Sequence, residues 1–307
     1  METTDMKVKL WGTRGSIPTP SSEDENFYTH VYGGNTSCVE ICTPDTEIVI
    51  DAGSGIRRLG NNMMKRGYGK PNENTQQIHL LLSHSHWDHI QGFPFFTPAY
   101  ISGNRIRVIG QEKDYTIMTR GEPTTKQTLQ HQQVSPHFPV PLEKMMATME
   151  FTDIHPGDEF DIGDLNITTK ALNHPDGYIG FRFEREGKSI AYCSDCEPDG
   201  EDFTANLLAL AKDADLLIHD AQYTPEEYKT KIGWGHSTYE HAIDDAIKAN
   251  VKKLVLFHHE PLHDDEKMEE IEARALNYIP TAMEKYGRKD WENFSVVVGR
   301  EGDVYDL

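Results

Sequence analysis

The chain has 307 residues, enough to bury a substantial core as one large α/β domain or two smaller ones. Its 50 acidic against 30 basic residues give a formal charge of −20 and a pI near 5.1, a balance that repels nucleic-acid backbones and anionic membranes, so a small molecule is the expected partner, with no long nucleic acid and no membrane. No run approaches a membrane span or a signal-peptide core and four cysteines are too few for a disulfide scaffold, which points to the cytoplasm.

Residues 7–11 read as a first strand ending in Gly12-Thr13-Arg14-Gly15-Ser16-Ile17-Pro18, a turn able to present backbone donors. Two strand-like runs, 38–42 and 47–50, are joined by Thr43-Pro44-Asp45, which suits a hairpin. Asp51-Ala52-Gly53-Ser54-Gly55 turns into a helical pattern through Leu59 and Met63. The apolar strand 78–82 runs straight into Ser83-His84-Ser85-His86-Trp87-Asp88-His89; the aromatic cluster Phe93-Pro94-Phe95-Phe96 and a strand at 106–109 follow. Periodicity is weak from 111 to 158, so this stretch is expected to be an inserted lid or partner-contact segment within a single domain spanning 1–307. Its His131 and His137 are either solvated or turned into a pocket.

The second half resumes with strands at 165–171, 179–183 and 189–193, a helix near 203–212 and a strand at 216–219. Thr224-Pro225-Glu226-Glu227 reads as the capped start of a short helix, and Ser237-Thr238-Tyr239-Glu240 as a capping box that opens a longer one. A strand at 253–257 precedes a long helix with Met268, Ile271, Ala275, Tyr278 and Ala282 at helical spacing. Strands clustered in both halves, with helices between them, fit two sheets with helices packed outside.

In an extended chain alternate residues share a side, so His84 and His86 can hold one ion while Asp88 and His89, past the bend, serve a neighbouring one. Other ligand types end strand-like runs: His174, Asp195, and the pair His258 and His259. These give His84, His86 and His174 for one metal and Asp88, His89 and His258 for a second, with Asp195 bridging. The count suits two divalent ions that share a hydroxide; such donors accept zinc, manganese or iron, with zinc expected. His236 stands just ahead of a capped helix start, where free N–H groups favour an anion, so it can bind a phosphoryl oxygen, protonate a leaving alkoxide, or simply pack. Arg14 reads either as a phosphate clamp or as a turn residue, Trp87 and Trp234 as core or as stacking partners for a base, and Cys193 and Cys196 as ordinary reduced thiols.

Asp51 in Asp-Ala-Gly, His84-x-His86-x-Asp88-His89, His174, Asp195 and His258, in that order, resemble the metallo-β-lactamase superfamily. The resemblance implies an αββα sandwich, two mixed β-sheets flanked by helices, with a dinuclear site at one edge. The family pattern favours His258 over His259 and gives Asp51 a supporting role beside the ligands. Gly12-Thr13-Arg14-Gly15-Ser16-Ile17-Pro18 and Gly235-His236-Ser237-Thr238 look like its phosphodiesterase branch, which includes ribonuclease Z and cyclic-nucleotide phosphodiesterases. There an acidic residue in a His-Glu-Ala-Thr stretch orients the histidine; the match is His219-Asp220-Ala221-Gln222, with a shorter side chain at Asp220.

The branch implies hydrolysis of a small phosphodiester, a 3′,5′-cyclic nucleotide foremost, by a metal-bridging hydroxide, with His236, Asp88 and Asp220 as the catalytic set. Ribonuclease Z activity itself is not expected, because the stretch from His174 to Asp195 is too short for a tRNA-gripping arm and the chain is acidic. The alternatives are a hydrolase of lactones or other carboxylic esters and a non-catalytic metal-bearing sensor. A homodimer is expected, as in related phosphodiesterases, with the 111–158 segment reaching across.

Overall fold

The computed structural model describes residues 6–68, 77–113 and 124–307. In chain order the strands are β1 (Lys7–Gly12), β2 (Cys38–Cys42), β3 (Glu47–Ile50), β4 (Gln77–Leu82), β5 (Arg105–Gln111), β6 (Thr148–Ile154), β7 (Glu159–Ile162), β8 (Leu165–Leu172), β9 (Tyr178–Arg185), β10 (Lys188–Cys193), β11 (Leu216–Asp220), β12 (Lys253–Phe257), β13 (Ser295–Val298) and β14 (Val304–Asp306). The helices are α1 (Ile56–Lys65), α2 (Trp87–Ile90), α3 (Thr124–Gln132), α4 (Asp202–Ala211), α5 (Pro225–Tyr228), α6 (Tyr239–Lys248) and α7 (Asp265–Tyr286).

The strands form two seven-stranded sheets, β14-β1-β2-β3-β4-β5-β6 and β13-β12-β11-β10-β9-β8-β7. Each sheet is antiparallel at one end and parallel at the other: β3 to β6 run parallel in the first, β10 to β13 in the second. Period-two patterning decides which side chain faces which layer. Ile48, Ile50 and Leu81 join a core continuous with β8 to β12 of the second sheet, while Val49, Leu80 and Leu82 face outward to α1 and the buried rings of Phe93 and Phe96. On the second sheet α4 covers β8 to β10 and α6 covers β11 and β12. The expected αββα sandwich of mixed sheets is therefore the fold.

Segments the pattern had left unassigned complete the edges. β6 pairs in parallel with β5 along its whole length, so part of the 111–158 stretch is an edge strand of the first sheet, and α3 packs on β5 and β6. β14 returns from the C-terminus to pair with β1. The second capping box is shifted by one residue from its expected place: Thr238 caps α6 and its N3 partner is His241. Ser237 is engaged elsewhere, its N–H donating to Asp220 at 2.8 Å and its hydroxyl to the Cys196 carbonyl at 2.5 Å. No described helix is long and apolar enough to cross a membrane.

Parallel strands bring their C-terminal ends to one edge, where the loops after β4, β8, β10, β11 and β12 meet. A different polar cluster lies where β2 and β3 meet. Arg66 donates to Glu40 at 2.7 Å and to Glu47 at 2.8 Å, and the Tyr68 hydroxyl also donates to Glu47. Burial, then the neighbouring Glu40 carboxylate, raise the Glu47 carboxyl from 4.5 to about 7. The folded chain thus keeps a proton that the unfolded chain has released, so stability falls as pH rises through the window from about 4.5 to about 7. Glu47→Gln should flatten a decline on the order of 1–3 kcal/mol in urea midpoints measured across that window; parallel pH profiles for the two proteins would refute the assignment.

Candidate metal centre

Asp51, at the end of β3, has left-handed backbone at φ 62°, as do Asp195 and His258 just past β10 and β12 at φ 52° and 61°. Such conformations are unfavourable for non-glycine residues and persist where surrounding structure dictates them. The Asp51 carboxylate accepts from the Ser83 N–H at 2.8 Å, the Ser83 hydroxyl at 2.9 Å, the Tyr192 hydroxyl at 2.8 Å and His89 Nδ1 at 2.7 Å. Ser83 Oγ in turn lies 3.1 Å from His84 Nδ1. One buried carboxylate thereby sets the orientation of the histidines that leave β4.

His174, His258 and His236 are anchored in the same manner, through Nδ1, whereas His86 turns its Nδ1 inward, 3.0 Å from His174 Nε2. His174 Nδ1 donates to the Gly235 carbonyl at 2.9 Å, His258 Nδ1 to Gln222 Oε1 at 3.0 Å, and His236 Nδ1 to Asp220 Oδ2 at 2.7 Å. A donor at Nδ1 leaves the Nε2 lone pair facing inward. At this edge the ligand atoms gather within 4.8 Å of one another as His84, His86 and His174, and as Asp88, His89, Asp195 and His258, while Asp195 and His258 also group with Asp220 and His236. The first two groups hold the seven residues read from the sequence as a metal set. His259 faces away, with Nε2 donating to the Gly299 carbonyl at 2.8 Å.

The donors suit a divalent cation. His84 Nε2 is buried without a hydrogen-bond partner. His258 Nε2 lies 3.0 Å from both Asp88 Oδ2 and Asp195 Oδ1, and His89 Nε2 lies 3.1 Å from Asp195 Oδ2 and 3.3 Å from Asp88 Oδ2. Lone pairs and carboxylate oxygens so crowded repel unless positive charge sits among them. Burial lowers the affinity of His84 for a proton, as does the neighbouring His89, and burial takes His174 down to about 4, so both are neutral imidazoles available as ligands. Burial opposes charge on these groups, yet Asp195 and Asp88 raise His258 to about 10 and His89 well above its usual value. The two imidazoliums hold the Asp195 carboxyl well below the usual range; their two protons supply the positive charge among these oxygens, and a divalent cation would take their place.

His236 lies beside this set. Its ring stacks on His258 with centroids 4.9 Å apart and an interplanar angle of 18°, and meets His174 edge-on at 5.2 Å. Asp220 spans the gap despite its shorter side chain because its backbone is close. Its Oδ1 is fixed by the N–H groups of Ser237 at 2.8 Å and Gln222 at 3.1 Å.

Several supporting residues were invisible in the sequence. Gln222 sits inside the stretch quoted for Asp220 but has no metal-ligand character of its own. Glu197 accepts from the N–H groups of Gly233 at 2.7 Å and Gly235 at 2.9 Å, fixing the loop that carries His236; nothing in its neighbours signals this. Arg14 is not a phosphate clamp: fully buried, it donates to the carbonyls of Gly33 at 2.9 Å, Glu260 at 2.9 Å and His263 at 2.6 Å, tying three loops together. The Ser16 N–H of the same turn donates to Asp88 Oδ2 at 2.8 Å. His131 and His137 are exposed and take no part in the centre. Cys193 and Cys196 are buried free thiols whose burial keeps them protonated.

Gly15 passes so close to the centre that a β-carbon there would stand 2.4 Å from Cε1 and Nδ1 of His258. Gly15→Ala is therefore expected to displace His258 and lower the divalent-metal content that survives dialysis, with the circular dichroism of the fold retained. Full metal retention would contradict this.

A family model described as a beta-lactamase superfamily domain matches residues 46–259. The ribonuclease Z of Picrophilus torridus is 24% identical over 312 aligned residues, spanning 88% of this chain and 91% of that enzyme. That of Haloarcula marismortui is 24% identical over 300, spanning 82% and 86%. Among solved structures, the metallo-β-lactamase fold protein YhfI of Bacillus subtilis superposes with a TM-score of 0.64 at 17% identity, covering 98% of this chain and 99% of its own. The short form of human tRNase Z gives 0.57 at 20% identity, covering 97% and 98%. Such structural likenesses establish the fold. The ribonuclease Z relatives overturn the expectation that long nucleic acid is excluded as a partner, since enzymes of that name align along most of the chain. The physical reason is that a net charge of −20 sums the whole surface, whereas binding answers to the local field, which cations at one edge can reverse. The chain belongs to the metallo-β-lactamase superfamily, on its ribonuclease Z-like branch, and is a metal-dependent hydrolase.

Proposed function

We propose that the protein is a dinuclear phosphodiesterase acting on a nucleotide phosphodiester. The observation that carries this reading is the His236–Asp220 pair at 2.7 Å, set against His258. Hydrolysis of a phosphodiester must expel an alkoxide, a poor leaving group that needs a proton. With Nδ1 donating to Asp220, a protonated His236 can offer its Nε2–H to the departing oxygen, and Asp220 stabilises the charge on that imidazolium. Hydrolysis of a lactone or carboxylic ester gives this pair no comparable task.

His84, His86 and His174 would hold one ion and Asp88, His89 and His258 the other, with Asp195 between them; zinc suits this nitrogen-rich set. Bound divalent metal supplies Lewis acidity, bringing the pKa of water to about 7 and offsetting phosphoryl charge. The chain's own contribution is orientation: Asp51, Gln222 and the Gly235 carbonyl fix three tautomers. Asp88 is steadied by the Ser16 N–H.

Two substrate forms have support. A 3′,5′-cyclic nucleotide fits the short β9–β10 connection, where Glu186 and Gly187 alone separate the strands and no arm intervenes between His174 and Asp195. An RNA phosphodiester is favoured by the ribonuclease Z relatives. Turnover of 3′,5′- and 2′,3′-cyclic nucleotides, bis(p-nitrophenyl) phosphate and a 3′-extended RNA by metal-loaded protein distinguishes them.

His236→Ala should retain its metal while kcat drops by roughly 10²–10⁴-fold, whereas Asp195→Ala should lose metal and activity together. Asp220→Asn should lower kcat and shift its pH profile with little change in metal content. Cleavage of lactones or carboxylic esters by metal-loaded protein that leaves every phosphodiester intact would overturn the proposal.

A further inference from the structure

Among the described residues, the six most exposed large apolar side chains are Leu262 at 81%, Trp87 at 76%, Ile232 at 68%, Met146 at 60%, Ile17 at 58% and Trp234 at 56%. All but Met146 belong to segments that carry the metal centre, Trp87 as the first residue of α2 and the others on loops. Trp87 lies between His86 and Asp88, and Ile17 follows Ser16, whose N–H holds Asp88. Ile232 and Trp234 lead into Gly235 and His236, and Leu262 is on the loop after His258. Apolar surface gathered around one polar centre in so hydrophilic a chain, with mean hydropathy −0.62, marks a contact surface.

The backbone segments that carry the two tryptophans are joined through one set of contacts. His86 Nδ1 lies 3.0 Å from His174 Nε2, and His174 Nδ1 donates to the Gly235 carbonyl, so Trp87 and Trp234 are the chain neighbours of the two ends of a single run of contacts. Trp234 is mounted rigidly, because the N–H groups on either side of it, at Gly233 and Gly235, are both held by Glu197. Lys231 stands with Nζ 3.9 Å from the Trp234 ring centroid, adding a cation at the same face.

We propose that Trp87 and Trp234 are specificity-determining residues that form an aromatic platform for the nucleobase of the substrate, selecting nucleotides over base-free phosphodiesters. This rests on the phosphodiesterase reading above. A flat aromatic group next to the scissile phosphate matches indole faces beside a phosphate-binding centre, and an adjacent lysine suits the nucleotide's charge. Each indole carries one hydrogen-bonding group, so recognition is by stacking and tolerates any base. A protein seated on this rim would instead close the route to the centre.

The test compares kcat/KM of metal-loaded protein for thymidine 5′-(p-nitrophenyl phosphate) and methyl p-nitrophenyl phosphate, which share a leaving group and differ in the base-bearing sugar. The wild-type preference for the nucleoside ester should fall about 10-fold or more in Trp234→Ala and in Trp87→Ala, mainly through KM, and Trp234→Phe should restore most of it. An undiminished preference in both alanine variants would overturn the platform. If metal-loaded protein cleaves neither ester, the phosphodiesterase reading is the one in difficulty, and quenching of tryptophan fluorescence by AMP judges the platform separately. Quenching that Trp234→Ala weakens supports the platform, and the absence of quenching in the wild type refutes it.

Discussion

Crowding of like-polarity atoms governs the edge of this sandwich. The Nε2 atoms of His89 and His258 are held 3.0–3.3 Å from the oxygens of Asp88 and Asp195, and His84 Nε2 is buried with no partner. Without positive charge such a cluster would spread apart or fail to form. What keeps it assembled is a ring of anchors behind it, each taking the Nδ1 proton of one histidine: Asp51 for His89, Gln222 for His258 and the Gly235 carbonyl for His174. Lone-pair direction is decided in that outer ring, and affinity for a cation follows from it.

The same logic extends outward to the loops. Among the described residues Arg14 has no carboxylate partner; its guanidinium is satisfied by backbone carbonyls, and burial brings it down to about 10. It fastens the loop after β12 to the turn after β1, which puts Gly15 against His258 and the Ser16 N–H on Asp88. Glu197 performs the equivalent task for residues 233–235. Rigid loops around a preorganised centre keep His236 and the exposed tryptophans in fixed relation to it, which is what acid catalysis and stacking both require.

Much of this architecture was legible from residue order. Strands announced themselves by apolar runs bounded by turn residues, and the ligands by their places at strand ends, as with Leu82 leading to His84 or Phe257 to His258. β6 and β14 were not legible, because edge strands alternate weakly and take their definition from a neighbour distant in sequence. The cap of α6 moved by one residue because a tertiary contact claimed Ser237. Charge misled in a different way: a sum over 307 residues says little about the field at one edge.

By itself the sequence determined the kind of chemistry, since the types and spacing of His84, His86, Asp88 and His89 admit few uses other than metal binding, and alternation along strands determined the layers. Only the tertiary structure decided which of two adjacent histidines faces the cluster, that Asp220 is near enough to orient His236, that Arg14 binds carbonyls, and that Trp87 and Trp234 stand in solvent. Each of these turns on a direction or a distance between segments far apart in the chain, and local propensity carries no information about either.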